Sequence, residues 1–118
     1  MASHNDFGRE AEEMAANYLV EHGYEILHRN WRYHNYEIDI IAKKNEWLKF
    51  VEVKALRSNS VCYPEKGVTK KKFKDLVRAA DEFLYRHEEY KKIQFDVLAV
   101  TVAFQGQAEF YLIEDVFL

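Results

Sequence analysis

The stretch FVEVKA, residues 50–55, decides how this chain reads. Its β-branched and aromatic content marks a strand, and successive side chains of a strand point to opposite faces. Val51 and Val53 therefore share one face, and Phe50, Glu52 and Lys54 share the other. A carboxylate and an ammonium two residues apart then stand on a face that would otherwise fill a core. Upstream, YEIDIIA (residues 36–42) is a second β-rich run, separated from WLKFVEVKA by the turn-like KKNE, so the two runs predict a hairpin. With residues 43–46 as the connection, Ala42 pairs with Trp47, Asp39 faces Phe50, Glu37 faces Glu52, and Lys54 lies further along the same side. Tyr36, Ile38, Ile40 and Ala42, with Val51 and Val53, form the apolar side.

Around this hairpin the periodicity places the other elements. Ala11, Met14, Ala15, Tyr18 and Leu19 recur at helical spacing and stop at His22-Gly23, which predicts a helix over about residues 7–22 closed by a glycine. Residues 24–31 read as a strand. From Thr69, an N-cap residue type, Phe73, Leu76, Val77, Ala80 and Leu84 describe one apolar face of a second helix that runs to about residue 87. Residues 94–104 alternate around Asp96 as a strand, and residues 110–113 form a short last one. The order αβββαββ predicts an α/β architecture, a mixed central sheet flanked by helices, in one domain over residues 1–118.

Opposed strand carboxylates are unfavourable neighbours unless positive charge lies between them. Two readings meet that demand. Asp39, Glu52 and Lys54 form either a salt-bridge cluster that guards a sheet edge or a site for Mg²⁺, which takes one or two carboxylates and leaves its other positions to water and phosphate.

Beyond the hairpin, GREAEEMAANYLVEHGYEILHRNWR, EIDIIA, FVEVKA, GVTKKKFKDLVRAA and QFDVLAV resemble, in order and spacing, the blocks of the uncharacterised bacterial YraN family. Asp39 followed after twelve residues by Glu52-Val53-Lys54 resembles the metal-binding signature of restriction-endonuclease-like nucleases. The chain departs from the family pattern at Tyr36, at Ala55-Leu56 and at Gln94. The resemblance implies a restriction-endonuclease-like fold similar to archaeal Holliday-junction resolvases. It implies catalytic roles for Glu10, Asp39, Glu52 and Lys54, with Mg²⁺ or Mn²⁺ held by Asp39, Glu52, the Val53 carbonyl and Glu10. Resolvases act as dimers, so a homodimer is also expected.

The net charge of −3 gives no global attraction to nucleic acid, but five lysines and no acid lie between Lys66 and Lys74. Lys70, Lys71 and Lys72 crowd the start of the second helix, against the preference of the helix dipole, an arrangement that suits an incoming phosphate. Arg29 and Arg32 extend this expected nucleic-acid surface, with DNA the expected partner. Trp31 and Tyr33 are either base-stacking platforms or core-rim aromatics. Asp96 is either a satisfied core group or a support behind the site. The single Cys62, the lack of a signal-like start and the lack of a long apolar run predict a cytoplasmic protein with no membrane partner. The function expected is a metal-dependent nuclease, or a nuclease-like nucleic-acid-binding protein, for which the resemblance to resolvases implies branched DNA. The rival is a non-catalytic nucleic-acid- or protein-binding module whose acids and lysine are structural.

Overall fold

The computed structural model describes residues 4–57, 70–103 and 105–116; Cys62, Lys66 and Thr69, the expected N-cap, lie outside them. The elements are α1 (His4–Glu21), β1 (Glu25–Tyr33), β2 (Tyr36–Lys44), β3 (Trp47–Arg57), α2 (Lys70–Arg86), β4 (Lys92–Val102) and β5 (Ala108–Ile113), in the expected order. The strands make one sheet in chain order, antiparallel at every junction except β3–β4, which is parallel. Antiparallel neighbours close through tight turns, whereas parallel neighbours need a long crossover. The connection from β3 to β4 contains α2, which covers one face of the sheet, and α1 covers the other.

α1 packs through small side chains. Ala11, Ala15, Ala16 and Leu19 are buried against Ile40, Ala42, Val51, Leu98 and Val100. The helix ends at Gly23, whose φ of 89° suits a residue without a Cβ. Tyr24 N donates to Leu19 O at 2.9 Å and Gly23 N to Val20 O at 3.1 Å, satisfying carbonyls that the last turn leaves open.

α2 buries Leu76, Ala79, Ala80 and Phe83, at i, i+3, i+4 and i+7. This face is rotated from the expected one: Ala79 and Phe83 are in the core, while Val77 and Leu84 are half-buried. Phe83 is the reason. Its ring meets Trp31 at 5.4 Å, His28 at 5.4 Å and Phe50 at 6.0 Å, each edge to face, so the largest side chain of the stripe sets the roll of the helix. Trp31 is therefore a core-rim aromatic.

The β2–β3 turn is tighter than the sequence suggested. Lys44 pairs with Trp47, Asn45 and Glu46 form the loop, and Asn45 takes the left-handed conformation at φ 56°. Ile41, rather than Asp39, now faces Phe50. A shift of two residues leaves the side chains on their expected faces, where a shift of one would have reversed them. Ile41, Leu48 and Phe50 thus meet α2, and Ile40, Ala42, Val51 and Val53 meet the α1 side. Ile38 is an exception, packing with Trp31 in the α2 cluster. At that end Asn30, between the Arg29–Ile40 and Trp31–Ile38 pairs, takes φ 53°, while the register of β1 shifts further along, between Ile26 and His28 beside Ala42 and Ile41.

Asp96 is a core polar group on the face opposite Glu52, since it alternates with Leu98 and Val100 on the α1 side. It is fully buried; its Oδ1 accepts from Gln94 Nε2 and from Asp115 N, each at 3.0 Å. Oδ2 has no hydrogen-bond donor but lies 3.7 Å from Lys49 Nζ, which also reaches Glu114 at 3.5 Å. With Val116 N donating to Phe95 O, these contacts tie the segment after β5 to β3 and β4. Burial holds the Asp96 carboxyl above its ordinary value, so this group's contribution to stability is greatest when it is protonated and declines as pH rises through its folded-state pKa. Lys49→Met, which leaves the buried carboxylate without its cation, is expected to lower unfolding free energy by about 3 kcal/mol at pH 7. The loss should be smaller at pH 4 than at pH 7, because acid favours the protonated carboxyl. Urea unfolding at the two pH values checks this, and an equal loss at both would show that Lys49 does not act through charge.

Candidate metal and nucleic-acid site

Asp39 stands where β2 parts from β3. The backbone ladder runs as far as Ile40–Val51, and beyond it the Asp39 side chain takes over: Oδ2 accepts from Val53 N at 2.8 Å. Continuing the register by one step sets Asp39 beside Glu52, so the acid expected opposite Phe50 meets the acid of FVEVKA instead. A cavity of about 270 Å³ opens at this fork, lined by Asn35, Glu37, Asp39, Glu52, Lys72 and Asp75 over Leu76.

Charge in the cavity is out of balance. Glu52 is 5% exposed, and its Oε1 lies 2.5 Å from the Nζ of Lys72, from the first turn of α2. Burial, and then the nearby Glu52 carboxylate, push Asp39 up to about 8, against the lowering effect of the Val53 N–H bond. A pair in this state retains a proton at neutral pH. Glu12, from α1, is likewise raised, first by burial and then by Glu37. With its amide oriented to donate, Asn30 reaches Glu12 Oε2 at 3.1 Å and Glu37 Oε1 at 2.8 Å, joining the helix to the strand carboxylates.

Among the described residues no group of three or more His, Cys, Asp or Glu side chains is arranged to hold a metal ion. Two adjoining carboxylates suffice for a hard cation that keeps water and phosphate as its other ligands. Asp39 and Glu52 fit that description in donor type and adjacency, and their mutual repulsion is what a divalent ion would relieve.

The other expected residues are placed as follows. Lys54 is half-buried on β3, one step beyond Glu52 on the same face, and does not line the cavity. Lys70 and Lys71 are exposed on the first turn of α2, whereas Lys72 turns inward to Glu52. Arg29 pairs with Glu13 at 2.8 Å and Arg32 with Glu37 at 3.3 Å, so both arginines are engaged within the fold. Glu10 is exposed on α1. At about 100° per residue it falls opposite the buried stripe of Ala11, Ala15, Ala16 and Leu19, whereas Glu12 falls within that stripe and is the helix acid carried toward the site. That signal was present in the sequence. Asn35 and Asp75 had no such signal, because they join the site only through the hairpin turn and the roll of α2.

Element order, sheet and site together define an α/β protein compatible with the restriction-endonuclease-like class. The chain belongs to the UPF0102 (YraN) family, described as an uncharacterised protein family, whose profile matches residues 11–100. Among its relatives, the UPF0102 protein of Parabacteroides distasonis is 43% identical over 100 residues, covering 85% of this chain and 83% of the relative. That of Chlorobium phaeobacteroides is 42% identical over 103 residues, covering 86% and 81%, and that of Flavobacterium johnsoniae is 38% identical over 104 residues, covering 85% of each.

Because the folded-state value of Asp39 lies above its ordinary 3.8, the unfolded chain releases this proton first, and stability falls as pH rises from about 4 to about 8. Asp39→Asn keeps an acceptor for Val53 N and removes the charge. It is expected to raise metal-free stability by about 1–3 kcal/mol at pH 8, after allowance for solvent screening, and to change little at pH 4. Thermal and urea unfolding in EDTA measure the difference. A variant less stable than the parent at pH 8 would contradict the assigned repulsion.

Proposed function

We propose that this protein is a metal-dependent phosphodiesterase acting on nucleic acid, with DNA the expected substrate. The observation that carries the reading is the apposition of half-buried Asp39 and buried Glu52, under-compensated, in a polar cavity. Proteins retain such a costly pair where it performs a task. A bound Mg²⁺ or Mn²⁺ supplies positive charge for the reacting phosphate and lowers the pKa of a water.

The chain's own residues supply the rest. Asp39 and Glu52 hold the ion, with the Val53 carbonyl as a further oxygen donor, and Glu12 orients solvent from the α1 side. Lys54, beyond Glu52, orients the attacking water and stabilises charge at the scissile phosphate. Lys70 and Lys71 place ammonium groups at the start of α2, where the positive end of the helix dipole also favours a phosphate. No helix among the described residues is long and apolar enough to cross a membrane, so no spanning segment there competes with this reading.

A binding module without catalysis is the second reading. The Lys72–Glu52 ion pair favours it, since an internal ammonium already offsets part of the acidic charge.

Labelled four-way junction, flap, duplex and single-stranded DNA, incubated with Mg²⁺, Mn²⁺ or EDTA, separate the two. Metal-dependent cutting is expected, lost in Asp39→Ala and reduced about 100-fold or more in Lys54→Ala with folding retained. Replacing Lys70 and Lys71 together by alanine is expected to weaken binding and lower the salt slope by up to about two. Equal cutting by the parent and Asp39→Ala would eliminate the assigned site, and shape-selective binding without cutting would establish the module.

A further inference from the structure

Lys72 reaches the site from a different element than the acids it meets. Its side chain is about half exposed, yet its ammonium contacts the almost fully buried Glu52, and the fields of Glu52, Asp39 and Glu37 all act on it. It lies on the first turn of α2, a turn with no acidic residue of its own, so its carboxylate partner is across the cavity on β3. An ammonium held there does the electrostatic work of a divalent ion with one charge in place of two. Because one side chain arm is solvent-accessible, withdrawing it costs far less than withdrawing a buried group.

We propose that Lys72 is an exchangeable internal counter-cation: in the metal-free protein it holds Glu52, and it yields that carboxylate to a divalent metal ion when one binds. This rests on the reading of Asp39 and Glu52 as a metal pair and adds a regulatory contact to it. Metal affinity then includes the work of breaking the Lys72–Glu52 pair, and the protein resists divalent ions at low concentration. The displaced ammonium stays tethered at the cavity wall beside Lys70 and Lys71, on the side where the helix start presents positive charge to a phosphate. Lys72 is thus a positioning residue that links metal loading to phosphate approach.

The test uses the whole protein and Mn²⁺ alone, without nucleic acid, so that its result does not depend on turnover. Mn²⁺ affinity is measured by calorimetry for the parent, Lys72→Met, Lys72→Gln and Asp39→Asn, with thermal unfolding of each in EDTA and in Mn²⁺. Both Lys72 variants are expected to bind Mn²⁺ about five- to tenfold more tightly than the parent. They should also melt lower than the parent in EDTA and gain more in melting temperature when Mn²⁺ is added. Asp39→Asn should lose Mn²⁺ binding. Unchanged or weaker Mn²⁺ binding in both Lys72 variants, with binding in the parent and its loss in Asp39→Asn, overturns the exchange while the metal pair stands. Binding in none of the four proteins, or equal binding in Asp39→Asn, overturns the metal pair and the exchange together. The paired variants keep the question answerable if one of them does not fold.

Discussion

The parallel pairing of β3 with β4 is the constraint on which the remaining structure depends. A parallel neighbour cannot be reached by a tight turn, so the chain has to leave the end of β3, cross the sheet and return to the start of β4. Its crossover helix runs back along the sheet and therefore begins near the carboxyl end of β3. Glu52 and Lys54 lie toward that end. The same topology that buries Phe83 over Phe50 thus delivers Lys72 to Glu52, and the site is assembled by the crossover as much as by the hairpin.

Two acids on opposite faces of the sheet, Asp96 buried and Asp39 half-buried, meet different environments. Asp96 is held within its own fold, its Oδ1 by donors from Gln94 and the Asp115 amide and its Oδ2 by the charge of Lys49, and it does not line the cavity at the hairpin fork. Its contacts close the C-terminal segment onto the sheet. Asp39 has one backbone donor and a neighbouring carboxylate, and it faces a cavity. Both are pushed upward by burial, but only Asp39 has a second acid as its next largest influence. A raised carboxyl held by donors and a cation of its own fold suits the scaffold, whereas a raised carboxyl beside another acid and open space suits an incoming cation.

The local pattern of the sequence carried much of this. Alternation along the hairpin assigned Asp39, Glu52 and Lys54 to one face, and that assignment survived a register error because a shift of two residues preserves side-chain direction. Helical spacing located both helices within a few residues. Glu10 and not Glu12 was expected at the site, although helical spacing sets Glu12 within the stripe of α1 that packs on the sheet and Glu10 on the exposed side. The resemblance pointed to the earlier acid, and the periodicity of the helix pointed to the later one.

What the sequence determined by itself were quantities with a short period: which residues form helices and strands, which face of each is apolar, and that a carboxylate and an ammonium share a strand face. The tertiary structure decided those that depend on partners distant along the chain. These are the tight Asn45-Glu46 turn that sets Asp39 beside Glu52, the roll of α2 imposed by Phe83, the inward turn of Lys72, and the donors around Asp96. Periodicity follows from backbone geometry and is written locally. Register, helix roll and ion pairing follow from how the layers pack against one another, and each is settled only when all of them are in place.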